Sequence, residues 1–275
     1  MEKKIKFGIC EWSLPWNGRF GIQFASELGF DGVQLDLGPY QYDLPLSKER
    51  MQDAYLDAGA KYGIEFPSMT VQTVNNDHTM TAEPGLRDFY LAVKALKAAV
   101  DACDRMGIDI IMPPHFYRNV IKTEEDVRRT AMAYKEACAY AATKGKIFAS
   151  ENAMTRDEFI AFKKMAGDPE NLKIFFDTQN YWKHKGYNVA EMYKDLKEFC
   201  VPQIHIKDGE GIISSAILGE GDSKFYETAE AIKASGFEGW IIFENYYDQS
   251  LLAEQGHDPW KLIEKDFEIA RKVFG

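Results

Sequence analysis

Along almost the whole chain a helical stretch ends at a glycine, and a short run of β-branched and aromatic residues follows. The instances are ELGFDGVQLDL (27–37), KYGIEFPSMTV (61–71), RMGIDIIMPPH (105–115), TKGKIFASEN (143–152) and ASGFEGWIIFEN (234–245). A glycine just past a helix end supplies the left-handed backbone that closes it. The run after it has little polar alternation, as a strand covered on both faces should. KIFFDTQN (173–180) and VPQIHIKD (201–208) have the same character without the glycine, and IKFGICEW (5–12) brings the candidate strands to eight. Between them lie helical patterns. Residues 85–105 place Leu86, Phe89, Val93, Leu96 and Val100 at steps of three and four, which puts all five on one helical face. Thr123 followed by two acids opens a helix over 123–142, with good N-terminal chemistry. Fainter patterns cover 50–60, 156–166, 189–199 and 225–235, and 257–273 closes the chain.

Eight β-runs alternating with helices over 275 residues predict an α/β fold, a parallel (β/α)8 or TIM barrel. The rival, a doubly wound open sheet, usually carries a Gly-rich phosphate turn after its first strand. CEWSLPWNGRF has no GxGxxG there. No low-complexity or Pro/Ser-rich linker interrupts the chain, so a single barrel domain over 1–275 is expected.

Composition narrows the partners. Hydrophobic residues at 45% and charged residues at 28% exclude a disordered or fibrous chain. With 43 acids against 33 bases the net charge is -10; such a field repels phosphate backbones, so no nucleic-acid partner is expected. Cys10, Cys103, Cys138 and Cys200 form no CxxC pair, which suits a reducing compartment and excludes a cysteine zinc site. No apolar run approaches the roughly 20 residues of a membrane helix. The start, MEKKIKFGIC, enters a strand-like segment without a signal peptide's apolar core. A cytoplasmic protein with no membrane partner is the expectation.

In a barrel of this kind, polar residues at the C-terminal ends of strands build the active site. The fifth to eighth candidate strands end in Glu151, Asp177, His205 and Glu244. Their separations of 26, 28 and 39 residues are each about one βα unit. A carboxylate at the end of an apolar run is costly unless paired or metal-bound. Each alone could cap or salt-bridge a strand end. Together, three carboxylates and an imidazole suit one divalent cation, Mn2+, Mg2+ or Co2+, with Zn2+ also compatible.

This Glu/Asp/His/Glu series, with HIKD and LGEGDSKFYETAEAIKASGFEGWIIFEN, resembles the xylose-isomerase-like superfamily of sugar isomerases and epimerases, and most of all its ketose 3-epimerase and sugar-phosphate epimerase branch. The resemblance follows the strand order of the whole chain and is specific from residue 145 onward. It implies a metal held by Glu151, Asp177, His205 and Glu244, chelating a ketose sugar or sugar phosphate through its carbonyl and a neighbouring hydroxyl. The cation would acidify the adjacent C–H and stabilise a cis-enediolate. Glu151 and Glu244 would act as catalytic acid and base, one removing a proton and the other returning one to the opposite face. The resemblance also implies a homodimer or homotetramer.

Two positions depart from the pattern. Asn180 stands where many ketose 3-epimerases carry a His three residues after the metal Asp, and Gly211 where they carry an Arg six residues after the metal His. Asn180 can hydrogen-bond a hydroxyl but cannot titrate. Asp157, six residues beyond Glu151, matches a second acid common in the family; a helix-stabilising first-turn acid is the competing reading. His115 ends its strand either as a substrate ligand or as a structural histidine. Ile206 points away from His205, so Lys207 returns to the mouth, to hold a sugar oxygen or phosphate or to pair with Asp208. Trp12 and Trp16 could wall a sugar face or simply pack. The glycine-rich loop 209–222 lies where barrels often bind phosphate. It lacks arginine, so recognition would rest on backbone amides with Lys207 or Lys224; a flexible lid is the alternative.

A keto-inositol dehydratase or hydroxypyruvate isomerase would use the same metal and begin with the same proton abstraction. A non-catalytic sugar-binding barrel is a reading from another class. An apurinic endonuclease fits least. Its three zinc ions need a His-rich set, and of His78, His115, His184, His205 and His257 only His205 falls at a ligand position.

Overall fold

The computed structural model describes residues 4–16, 18–254 and 258–275. His257, where the last candidate helix was expected to begin, lies outside the described residues. Eight strands, β1 (Ile5–Cys10), β2 (Gly32–Asp36), β3 (Ser68–Thr70), β4 (Ile110–Met112), β5 (Ile147–Ser150), β6 (Leu172–Asp177), β7 (Cys200–Ile206) and β8 (Gly239–Phe243), close in sequence order into a parallel barrel with alternating helices. The order needs no crossing connection, because each helix returns the chain to the next parallel strand.

Local chemistry sets the element ends. Helix Arg19–Leu28 stops at Gly29, whose φ of 88° is the left-handed closure a side chain would strain. Thr123 and Thr155 each accept an N–H three residues on, and Asp126 and Glu158 reach back in reciprocal capping boxes. Strand β2 can begin at Gly32 because a Cβ there would lie 2.7 Å from the Trp240 ring and 2.8 Å from the Glu65 carbonyl. The expected strand over 173–180 ends at Asp177, and Asn180 opens a short helix, Asn180–Lys185.

Contacts group the chain into two compact units. One runs up to Gln34 and takes in Ala58–Glu65 and Phe175–Gly275. Its apolar centre holds Phe7, Phe30, Phe243 and Phe267, with rings 4.6–6.4 Å apart. The other comprises Leu35–Asp57 and Phe66–Ile174, and packs Tyr134 edge-on against Phe148 and Phe162. Each buried ring contributes about 1.5–3 kcal/mol over exposure. Among the described residues no helix is long and apolar enough to cross a membrane.

Candidate metal centre

Asp177 is the last residue of β6. Its Oδ1 accepts the backbone N–H groups of Gln179 (2.8 Å) and Asn180 (2.6 Å), which fixes the carboxylate. Its Oδ2 is buried without a hydrogen bond and lies 3.1 Å from the Lys207 ammonium. On β7, His205 is fully buried. Its Nε2 lies 2.7 Å from the Gln34 side-chain oxygen. An amide oxygen only accepts, so Nε2 carries the proton there and Nδ1 faces the carboxylates. The imidazole also packs against the Phe175 ring at 4.4 Å.

Glu244 follows β8. Its Oε1 accepts the Trp12 indole N–H at 3.2 Å. Its Oε2 accepts the Lys207 ammonium at 2.5 Å and lies 3.2 Å from His205 Nδ1. Burial pushes this carboxyl up, but the Lys207 ammonium and the contact with His205 outweigh it and hold Glu244 well below the usual carboxylate range. Glu151 follows β5, with its N–H on the Pro113 carbonyl and its carbonyl on the His115 N–H. Glu151, Asp177, His205 and Glu244 are all buried, and each offers one ligand atom within 4.8 Å of the others. A lone pair on Nδ1 and a carboxylate oxygen at 3.2 Å are compatible only with a proton or cation between them. The donor set, the Asp177 oxygen without a hydrogen bond and this contact all fit a divalent metal ion.

The remaining candidates sort by geometry. Lys207 extends toward the carboxylates, between Glu244 and Asp177. Asp208 points the other way, as strand alternation requires, and does not pair with its neighbour. Trp12 donates to Glu244 and stands edge-on to His205, while Trp16 is 58% exposed and packs edge-on against Phe24. Asn180 is buried and gives its N–H to Asp177. His115 uses both ring nitrogens, on the Tyr134 hydroxyl (2.8 Å) and the Asn119 amide (3.0 Å). Burial pushes its pKa down to about 3, so it is a neutral imidazole bonded through both ring nitrogens. Asp157 is exposed in the first turn of helix Arg156–Met165.

The loop after β7 is organised from within. Asp208 Oδ1 accepts the N–H of Gly209 (2.9 Å), the N–H of Ser223 (3.4 Å) and the Ser223 hydroxyl (2.7 Å). Oδ2 accepts the N–H groups of Gly219 (2.9 Å) and Gly221 (3.1 Å). A Cβ on Gly221 would overlap this carboxylate. Gly211 N–H goes to Asp222, and Gln179 clamps Ile212 and Ser214. The N–H groups of Gly209, Gly211, Gly219, Gly221 and Ser223 are thus engaged by the protein's own carboxylates. Beneath the loop, Asp266 accepts from Leu218 N–H, the Asn245 amide and the Tyr247 hydroxyl. Burial pushes its pKa up to about 7.

Sequence reasoning missed Gln34 and the role of Asp208. A signal existed for Gln34: a lone amide inside the apolar strand GVQLD needs a buried partner.

A family model described as xylose isomerase-like TIM barrel matches residues 22–272. Over 270 residues the chain is 26% identical to 2-epi-5-epi-valiolone 7-phosphate 2-epimerase of an Actinoplanes species, covering 98% of this chain and 94% of that protein. D-psicose 3-epimerase from Clostridium cellulolyticum, solved with D-tagatose, superposes with a TM-score of 0.76 at 17% identity, over 98% of this chain and 99% of that one. 3-keto-D-glucoside 4-epimerase from E. coli superposes with a TM-score of 0.75 at 16% identity, over 98% and 100%. At such identities the two solved structures show a shared fold.

Proposed function

Since the chain belongs to the xylose isomerase-like TIM barrel family, we propose that it is a divalent-metal-dependent sugar epimerase or isomerase that acts on a ketose or ketose phosphate. The observation that carries this is the meeting of Glu151, Asp177, His205 and Glu244, all buried, within 4.8 Å. The epimerase activities named for the similar proteins support the same reading. Those four residues would hold the ion, which when bound supplies Lewis-acid polarisation of the substrate carbonyl.

The chain's own groups do the proton work. Two carboxylates from different strands can address the two faces of one carbon. One removes the α-proton, giving an enediolate, and the other delivers a proton to the opposite face, inverting the centre. The Lys207 ammonium beside Glu244 keeps it as the carboxylate rather than the acid. Trp12 fixes its orientation through the indole N–H and offers an apolar face to the sugar. Asn180 and Lys207 would serve substrate oxygens. His115 is bonded through both ring nitrogens and Asp157 stands in solvent, so this reading rests on neither.

The test is incubation of free and phosphorylated ketoses in D2O with Mn2+, Mg2+ or Co2+, reading the labelled carbon by NMR. Epimerisation labels the inverted centre; isomerisation and dehydration label others. Glu151→Gln and Glu244→Gln should each lower turnover on the order of a thousandfold. Wild-type turnover in either variant refutes the reading.

A further inference from the structure

The buried ammonium of Lys207 deserves a role of its own. Its Nζ lies 2.5 Å from Glu244 Oε2 and 3.1 Å from Asp177 Oδ2. Those oxygens belong to two of the four residues that form the ligand set. Asp177 Oδ2 has no hydrogen bond, so the ammonium is a charge neighbour to it rather than an aligned donor. Lys207 itself is 2% exposed. Buried carboxylates this close repel strongly, and a cation must sit among them for the chain to fold around them. Three carboxylates against one ammonium leave two negative charges, the amount one divalent ion cancels.

We propose that Lys207 is a built-in counter-ion: its ammonium holds the Asp177 and Glu244 oxygens together in the metal-free protein and is driven off them when a divalent cation binds. The ammonium and the metal compete for the same oxygens, and each positive charge raises the other's energy. The wild-type chain thereby gives up metal affinity in exchange for a metal-free state that stays folded. Once displaced, the ammonium remains in the site with its positive charge available to a substrate oxygen. This inference rests on the metal reading above.

The experiment uses Mn2+ alone as the probe, titrated calorimetrically into the whole, metal-stripped chain at fixed pH without substrate. Lys207→Met and Lys207→Gln should bind Mn2+ at least tenfold more tightly than wild type, because the competing charge is gone. Lys207→Arg keeps the charge and should bind no more tightly than wild type. In EDTA the two neutral variants should melt below wild type, and the same Mn2+ concentration should raise them by more than it raises wild type, a difference that a merely packing role for the lysine would not produce. Unchanged or weaker Mn2+ binding in both neutral variants overturns the proposal, as does a gain in the arginine variant equal to theirs. Failure of Mn2+ to raise the melting point of either neutral variant overturns it too. If neither the wild type nor any variant binds Mn2+, the metal reading itself fails.

Discussion

Asp208→Asn should loosen the loop after β7 more than it destabilises the barrel. An asparagine can keep its oxygen on the Oδ1 side, where Gly209 and Ser223 donate. Its NH2 then replaces Oδ2 and confronts the N–H groups of Gly219 and Gly221, now at 2.9 and 3.1 Å. Two bonds to a charged acceptor are lost, each worth about 1.5–3 kcal/mol net, and two donors are left facing a donor. The sum, about 3–6 kcal/mol, is an upper range, since the loop can open locally and let water in at lower cost than global unfolding. We expect about 3 kcal/mol. At roughly 2 cal/mol/K per residue of unfolding entropy, that is a drop of about 5 °C in melting temperature for a chain of this length. Hydrogen exchange followed by mass spectrometry should report the local event. Amides in 209–223 should lose roughly a hundredfold in protection, the factor that 3 kcal/mol implies, while those of β6 and β8 should change little. Asp222→Asn is the control, since its bonds to Gly211 and Trp182 are exposed and should be worth less than about 1 kcal/mol. Unchanged exchange across 209–223 with a melting temperature within a degree of wild type would refute the assignment of Asp208 as the loop's organiser.

Two further outcomes follow from single contacts. Gln34→Leu removes the acceptor that orients His205 and should weaken Mn2+ binding on the order of ten- to a hundredfold, measured by calorimetry; wild-type affinity would show that the ring needs no such anchor. Asp266, lifted from 3.8 to about 7 by burial, binds its proton more tightly folded than unfolded. The folded form holds that proton between the two values and the unfolded form does not, so this group's contribution to stability falls as pH rises from about 4 to 7, by up to roughly 4 kcal/mol. Urea unfolding of wild type and Asp266→Asn across that window should therefore show a gap that changes with pH, with wild type losing ground as pH rises. A gap independent of pH would sink the assignment.

Much of this site was legible because a strand covered on both faces has few places for a charge. Glu151, Asp177, His205 and Glu244 each stand at or next to the end of such a strand, and parallel strands in a closed order bring those ends to one mouth. What sequence does not carry is distance across strands. Nothing in HIKD says that the lysine's partners are Glu244 and Asp177 rather than Asp208, nor that Gln34, 171 residues from His205, supplies its acceptor. His115 shares the strand-end position of a ligand, yet Tyr134 and Asn119 absorb both its nitrogens, and their approach is a matter of packing. Strand parity, pressed one residue further, would have reached the loop. If His205 and Lys207 face the mouth, Asp208 faces away from it, and a buried carboxylate there must find donors nearby. The glycines at 209, 219 and 221 are the residues whose backbones can come closest. In this chain the Gly-rich segment that follows HIKD is thus a cradle for its own carboxylate, Asp208, whose two oxygens take the N–H groups of Gly209, Gly219, Gly221 and Ser223.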